Sequence, residues 1–457
     1  MTTIPLPKQL LIQPHGFPDL GHRESMLQDF VLDVIRRNYG LMGYTSIDTP
    51  LVERPEVLFA KAGGQVSKQV YGLRLMHPAP GAEDDSKDLC IRFDLTVPLA
   101  RYVATNQQSI SFPFRRSQIG YVMRGERSKK GRYRSFIQAD IDVIGNGELS
   151  FYHDAECIAT IVNIFKELNL GSFRVHINNR KILNGWFSAY GIKSDDGQRA
   201  AMDYVDELDK VGREKVVSNL ASIGFTADSA NELLVLLTEN LPVSQMLEKL
   251  LANNESDLLL SAGIDELKQV VETLLAMGVT ENHFCIDLSI ARGLDYYTST
   301  VYETFMEDHR GIGSVASGGR YDDLASVYTN KDLPGVGVSI GVTRLVLKLI
   351  DAGIVDASSS TVAPVLVTTQ NMDRNAAHYL RVASILREQG IGVEVYFADR
   401  KLGKQMQFAS NRGFRIAIIA NDDESDRGVV QLRDLRSGEQ VEVNISELAN
   451  RTKVMLG

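Results

Sequence analysis

The sequence predicts a mixed α/β protein of more than one domain, and three observations carry that expectation. Residues 121–145 read as strand, basic loop and strand, with Ile141 and Val143 resuming an extended pattern after the loop. Residues 193–279 read as helix almost throughout, with Leu233, Leu234, Leu236, Leu237, Leu247, Leu250 and Leu251 among many leucines and few strand formers. Residues 364–457 alternate strand with helix, the pattern of a sheet covered by helices. A chain of 457 residues has room for this division, since one domain takes about 100–200 residues.

Composition narrows the class. A hydrophobic content of 44% suits a globular core, and no apolar run approaches the roughly 20 residues of a membrane span. The start, MTTIPLPKQL, lacks the basic, long-apolar and small-residue succession of a signal peptide, so a cytoplasmic location is expected. Cys90, Cys157 and Cys285 are scattered without a C-x-x-C pair, which favours three separate buried thiols over a disulfide framework or a structural metal site. A net charge of −9 argues at first against a nucleic-acid partner, because phosphates bind Lys and Arg. The acidic stretches Glu83-Asp84-Asp85 and Asp422-Asp423-Glu424 lie well away from the basic loop, however, so a local anion-binding face stays open.

Taken in order, Glu24 to Tyr39 places Met26, Leu27, Phe30, Val31, Val34 and Ile35 at helical spacing, with Gly40 as the stop. Tyr44 to Val52 is extended, and Pro50, which donates no hydrogen bond, fits the edge or end of a strand. Residues 77–89 form a loop rich in Pro, Gly and acids. Residues 91–104, IRFDLTVPLARYVA, read as strand, which puts Asp94 and Thr96 on one face. By itself such a pair is ordinary strand polarity. In the basic loop Arg124, Arg127, Lys129, Lys130 and Arg132 crowd around Glu126, and Gln138 and Asp142 follow on the outgoing strand. Like charges so close repel, and a polyanion would neutralise them. Guanidinium groups in particular grip phosphate through two parallel hydrogen bonds. A solvated basic loop without a partner is an equal reading of the charge run alone.

Phe151 to Leu168 reads as helix and Phe173 to Ile177 as a short strand. After the helical stretch, Phe284 to Leu288 is strand, followed by A-R-G-L-D-Y-Y-T-S-T-V-Y-E at 291–303 and A-S-G-G-R-Y-D-D-L at 316–324. Arg292 is a fixed cation beside a glycine, Tyr296 and Tyr297 offer phenol groups, and Gly318-Gly319, close to Tyr321, allow backbone to approach a small ligand. A tyrosine-rich strand with a glycine turn is the plain alternative for either phrase alone. Residues 334–348 are glycine-rich and turn helical at Val342, with Arg344 one turn in. Gly335, Gly337 and Gly341 invite a dinucleotide-binding reading, but three residues separate the last two and no acid follows at the required place. Ser358-Ser359-Ser360 marks a linker. Beyond it come strands at 364–369, 393–397 and 415–420, helices at 374–389 and 401–412, a hairpin around Arg436-Ser437-Gly438 and a last helix.

The R-x-E-R, G-R-Y-R and Q phrases at 124–138 resemble motif two of the class II aminoacyl-tRNA synthetases in its histidyl form, and 24–52 and 334–348 are similar to motifs one and three. R-F-D-L-T-V-P at 92–98, R-G-L-D-Y-Y-T at 292–298 and G-G-R-Y-D at 318–322 resemble phrases of the histidyl enzymes, and 393–419 resembles their anticodon-binding domain. By these phrases the chain is identified as a member of the histidyl-tRNA synthetase family. The resemblance implies an α+β catalytic domain on an antiparallel sheet at 1–192 and 281–355, a helical insertion at 193–280, and a C-terminal α/β anticodon-binding domain at 362–457. It also implies a homodimer with motif one at its interface, and histidine, ATP and tRNA-His as partners. Histidine and ATP would give histidyl-adenylate and pyrophosphate, and the acyl group would pass to a terminal ribose hydroxyl of the tRNA. Mg²⁺ would come bound with ATP, and no structural metal is expected.

The same resemblance implies site residues. Arg124 would hold the α-phosphate, Glu126 would lie near the adenine, Arg132 would also bind ATP, and Arg344 would take the γ-phosphate. Asp94 and Thr96 would receive the α-ammonium of histidine, and Asp142 and Tyr297 would hold its imidazole. Gln138, Arg292, Tyr296 and Tyr321 complete the histidine set, and Arg124 and Arg292 would counter charge developing in the transition state. Three positions depart from the family. Arg127-Ser128-Lys129 stands where many members show R-P-Q, which puts reading of the additional 5′ nucleotide of tRNA-His in question. Ser299 stands where Gly is frequent, and Asp142 where bacterial members often have Glu. One rival is a regulatory relative that binds histidine or uncharged tRNA without catalysis, against which the terminal domain and the intact R-G-L-D-Y-Y speak. Another is a different class II synthetase with the same terminal domain, which only the histidine phrases exclude.

Overall fold

The computed structural model describes residues 7, 11–60, 67–77, 89–127, 133–252, 257–291, 296–355 and 359–457. Its first part contributes strands β1 (Thr45–Ser46), β2 (Val52–Glu53), β3 (Cys90–Ile91), β4 (Phe114–Met123), β5 (Ser135–Ile144), β6 (Phe173–Asn179), β7 (Phe284–Ile286), β8 (Thr300–Met306), β9 (Ala316–Tyr321) and β10 (Gly335–Gly341). Among the described residues eight of these form one sheet in the order β1-β4-β5-β10-β9-β8-β6-β7, and β2 pairs with β3 separately. The inner pairs are all antiparallel, and only the edge strands β1 and β7 add in parallel.

The β4–β5 hairpin sets the frame. Along β5, Ala139, Ile141 and Val143 are fully buried on one face, and alternation puts Gln138, Asp140 and Asp142 on the other. Helices cover the apolar side. Tyr39, from the His22–Leu41 helix, donates its hydroxyl to the Ala139 carbonyl at 2.9 Å. The Tyr152–Leu168 helix packs against β10, β9 and β5 with Cys157, Ile158, Ile161 and Phe165 buried. The His22–Leu41 helix runs through the glycine expected to stop it. The chain turns instead at Gly43, whose φ of +76° resists any side chain.

Helices Asp195–Asp206, Leu208–Val211, Arg213–Ala221, Ala227–Thr238, Val243–Ala252 and Leu258–Ala276 follow one another, with no strand between them among the described residues. Local chemistry starts several of them. Ser194 accepts from the Gly197 N–H, Thr226 and Ser229 exchange bonds in a capping box, and Asp257 accepts from Leu259 N at 2.7 Å. The Leu258–Ala276 helix packs closely on the Arg180–Ala189 helix at two glycines. A Cβ on Gly263 would lie 2.9 Å from Ile182 N, and one on Gly185 would lie 2.7 Å from Leu260 Cβ.

The C-terminal part holds β11 (Val365–Val367), β12 (Val393–Val395), β13 (Ile416–Ile419), β14 (Val429–Asp434) and β15 (Gln440–Asn444), in the order β12-β11-β13-β14-β15. Val365, Val367, Tyr379, Val382, Leu386, Ile416, Ile418, Leu432 and Leu448 form its core. The acidic run at 422–424, read from sequence only as a charge cluster, opens the short Asp422–Arg427 helix. Asn421 accepts from Glu424 N at 2.9 Å and Glu424 accepts from Asn421 N at 2.8 Å, a reciprocal cap that explains why acids gather there.

Contacts divide the chain into two compact units, one running to Ile354 and the other from Val355 to Gly457 with Leu20–Asp29. The mixed α/β class, with its antiparallel-rich main sheet and separate C-terminal sheet, is the one the sequence predicted. Cys90, Cys157 and Cys285 are free and buried. Among the described residues no helix is long and apolar enough to cross a membrane.

Candidate active site

The polar face of the main sheet is assembled in rows by strand register. Arg116 on β4 stands opposite Asp142 on β5, which stands opposite Gly337 on β10 and then Gly319 on β9. The next row is Gln118, Asp140, Ser339 and Ser317. The glycines make room for the charged and aromatic groups. A Cβ on Gly337 would lie 2.1 Å from Asp142 Oδ1, one on Gly335 2.2 Å from the Tyr321 ring, and one on Gly319 2.9 Å from the Tyr297 ring.

Asp142 is held at both oxygens. Oδ2 forms an ion pair with Arg116 Nη2 at 2.6 Å, and Oδ1 accepts from the Tyr321 hydroxyl at 2.6 Å. Arg116 is 0% and Asp142 2% exposed, so this is a fully desolvated pair. Burial pushes Asp142 up to about 7 against the opposing pull of Arg116, and pushes Asp140 up to about 6, again opposed first by Arg116. Gln138 donates to Ser339 Oγ at 2.5 Å. Gln138 Oε1, Asp140 Oδ1 and the Nε and Nη1 of Arg116 are buried with no hydrogen-bond partner among the described residues.

Asp94 and Thr96 do not share a strand face. β3 ends at Ile91, and Thr96 opens the Thr96–Asn106 helix. Asp94 Oδ1 accepts from Val97 N at 3.2 Å, offering the first turn an acceptor that a strand ladder would not use. Pro98 in that turn needs no donor, which favours a helix start over a strand. The other oxygen of Asp94 accepts from the Tyr296 hydroxyl at 3.3 Å, and burial pushes the carboxyl up to about 6. Tyr296 meets Tyr297 and Tyr321 edge-on, at centroid distances of 5.1 and 5.7 Å. Two carboxyl groups, Asp94 and Asp142, therefore stand at the ends of a tyrosine pair. Burial also raises the Tyr297 hydroxyl, with Asp142 and Asp140 adding to it.

Arg124 leaves β4 for the loop. Its Nε donates to the Phe93 carbonyl at 3.0 Å and its guanidinium lies 5.3 Å from the Phe136 ring centroid. The Glu126 carbonyl accepts from Arg134 Nε at 3.2 Å. Arg344, in the Val342–Asp351 helix, donates to the Ile312 carbonyl at 3.0 Å. Arg132 and Arg292 lie outside the described residues. The described members of the expected histidine set, Asp94, Thr96, Gln138, Asp142, Tyr296, Tyr297 and Tyr321, surround one polar floor.

Residues 16–345 match the family model for histidyl-tRNA synthetase, and 362–454 match the anticodon binding domain. The chain belongs to the histidyl-tRNA synthetase family. A histidine–tRNA ligase of Xanthomonas campestris pv. campestris is 43% identical over 460 residues, covering 97% of this chain and 96% of that protein. One of Nostoc punctiforme is 42% identical over 458 residues, covering 96% and 97%. The crystal structure of histidyl-tRNA synthetase from Nostoc sp. PCC 7120 matches with a TM-score of 0.87 at 39% identity, over 97% of this chain and 99% of that one.

In this family member several buried polar residues beside these groups escape a reading by phrase. Arg116 and Asp140 were not singled out, although R-x-Q on β4 and Q-x-D-x-D on β5 carry the period-two polarity of one strand face. Arg92, the first residue of R-F-D-L-T-V-P, is a buried brace that the phrase gives no role. It donates Nη1 to the Thr49 carbonyl at 2.6 Å and Nε to the Tyr121 carbonyl at 2.9 Å, and a Cβ on Gly120 would lie 2.3 Å from its Nη2. Within G-G-R-Y-D, Arg320 points away from Tyr321. It pairs with Asp154 at 2.5 Å and donates to the Leu149 carbonyl at 2.9 Å, pinning the start of the Tyr152–Leu168 helix.

Proposed function

We propose that the polar face of β4, β5, β9 and β10 activates histidine for ligation to tRNA. The observation that carries this reading is the placing of Asp94 and Asp142 at the two ends of the Tyr296–Tyr321 pair. Histidine presents two separated donor groups, an α-ammonium and an imidazole, and a buried site needs an acceptor for each. Asp94 and Thr96 take the ammonium. Asp142, with Tyr297, Gln138 and Tyr321, takes the imidazole. The Arg116 pair favours the ionised form of Asp142 and so its role as acceptor.

Histidine and ATP give histidyl-adenylate and pyrophosphate, and the histidyl group then passes to the 3′ end of tRNA-His. No bond to the protein forms. The histidine carboxylate attacks the α-phosphorus, and Arg124 with Arg292 counters charge as it develops there. Glu126 faces the adenine, Arg132 also binds ATP and Arg344 takes the γ-phosphate. Mg²⁺ enters with ATP as part of the substrate. Among the described residues no group of three or more His, Cys, Asp or Glu gathers to hold a metal, so no residue is assigned to it. Residues 362–457 serve anticodon recognition, residues 193–280 form a helical insertion, and a cytoplasmic homodimer is the working form.

Amino-acid-dependent pyrophosphate exchange with each of the twenty amino acids tests the reading. Histidine alone should support exchange, and Asp142→Ala should raise the KM for histidine far more than that for ATP. Exchange with a different amino acid, or equal rises in both KM values, would remove the assignment.

A further inference from the structure

The segment that carries Tyr296 and Tyr297 joins no strand until Thr300, so its position depends on individual bonds. On one side Thr298 donates its N–H to the Arg320 carbonyl at 2.8 Å and its hydroxyl to Asp322 Oδ2 at 2.5 Å. On the other side the bonds come from helices. Arg180, first in the Arg180–Ala189 helix, donates Nη1 to the Tyr297 carbonyl at 2.6 Å and its N–H to the Ser299 carbonyl at 2.9 Å. Glu266, in the Leu258–Ala276 helix, accepts through Oε2 from the Ser299 hydroxyl at 2.7 Å and from Asn179 Nδ2 at 2.9 Å. Its Oε1 pairs with Lys181. Asn179 in turn caps the Arg180–Ala189 helix, accepting from Lys181 N at 2.9 Å, and donates to Ser299 Oγ at 3.3 Å. Ser299 and Asn179 are fully buried, and the Glu266 side chain is 11% exposed. A carboxylate enclosed this way, with donors at both oxygens, holds its partners firmly. The glycine contacts at Gly185 and Gly263 keep the two helices close enough to reach the segment together.

We propose that Glu266 and Arg180 are positioning residues for histidine, setting through Ser299 and the Tyr297 carbonyl where the two tyrosine hydroxyls stand. The proposal rests on the reading of Tyr296 and Tyr297 as histidine contacts. It makes the helical stretch a part of amino-acid recognition, without any of its side chains touching the substrate. Arg124 is anchored elsewhere, at the Phe93 carbonyl, so ATP binding should not follow.

Steady-state pyrophosphate exchange on the full chain separates the outcomes. Ser299→Ala, which deletes a single hydroxyl, should raise the KM for histidine about fivefold, and Glu266→Ala about tenfold or more, because a bond to a charged group is lost. The KM for ATP and kcat should stay within about twofold in both. Glu266→Gln keeps an acceptor oxygen for Ser299 but not the charge facing Lys181, and should restore the histidine KM to within about twofold of the unaltered protein. A merely structural anchor predicts something else: a lower melting temperature with an unchanged histidine KM, or equal rises in both KM values. Either result for Ser299→Ala overturns the proposal. Tyr297→Phe, assayed alongside, tests the underlying reading. If it raises the histidine KM while Ser299→Ala and Glu266→Ala do not, the positioning proposal alone fails. If Tyr297→Phe changes nothing, the tyrosine assignment itself fails.

Discussion

The main sheet and the C-terminal sheet use their central strands in opposite ways. In the C-terminal sheet, Ile416, Ala417, Ile418 and Ile419 on β13 are all buried, the Arg427–Glu442 ion pair is exposed, and the one buried carboxylate of the neighbouring strand β14, Asp434, sits at its end against Arg415. In the main sheet, β5 buries Gln138, Asp140 and Asp142 in its middle and β4 buries Arg116 beside them. Burying charge costs folding free energy that an apolar strand would not lose. The two sheets should therefore respond differently to the same kind of substitution.

The largest expected effect is at Arg116. Arg116→Met leaves Asp142 and Asp140 buried without their first counter-charge, and breaking such a pair costs about 3–5 kcal/mol. Urea unfolding should show this loss, and histidine-dependent exchange should fall to background. The double variant Arg116→Met with Asp142→Leu should regain much of the stability and none of the exchange. If the double variant is as unstable as the single one, the pair is not the source of the cost. In the C-terminal sheet, Leu386→Ala opens an apolar core and should cost about 2–4 kcal/mol in unfolding of that unit. Pyrophosphate exchange should continue at its normal rate while aminoacylation declines. A parallel loss of exchange would erase the contrast between the units.

Asp140 sharpens the comparison through pH. Its folded pKa is raised to about 6 by burial. The folded protein therefore holds a proton that the unfolded chain releases near its ordinary value. That contribution to stability is complete below about pH 4 and is lost as pH rises through 6. Asp140→Asn, which never ionises, should gain melting temperature relative to the unaltered protein between pH 5 and pH 8. A gap that stays constant across that range would mean the carboxylate is fully compensated by Arg116. The smallest effect belongs to Arg427→Ala at the exposed rim, where the melting temperature should not change measurably at physiological salt.

The order of elements was legible because patterning is local. Alternation along 135–144, the glycines before Val342 and the helix–strand succession after 363 each report the immediate surroundings of the chain. Asp94 and Thr96 were misplaced because an apolar run of that length fits strand and buried helix alike, and the deciding bond, Asp94 to Val97 N, is a capping interaction that alternation cannot register. Tyr321 and Tyr296 could be nominated from their phrases, but not the edge-on contact between them, since 24 residues of chain intervene. Arg116 was hidden for the same reason. Its importance comes from facing Asp142 across a hairpin, and register is set by the whole sheet. Ser299 looked like a simple departure from a frequent glycine until the Leu258–Ala276 helix supplied its partner, Glu266.

The three buried thiols turn this division of the chain into an opportunity for kinetics. Cys90, Cys157 and Cys285 all belong to the unit that runs to Ile354, and the sequence holds no others. Burial pushes the Cys157 thiol far up and raises Cys90, so the alkylation-competent thiolate is scarce while they stay covered. The rate at which a thiol reagent marks the native protein is then a stopwatch for transient opening of that unit, silent to any fraying of the C-terminal sheet. Slower marking in the presence of histidine and ATP would measure, without a catalytic assay, how firmly the ligands lock the sheet.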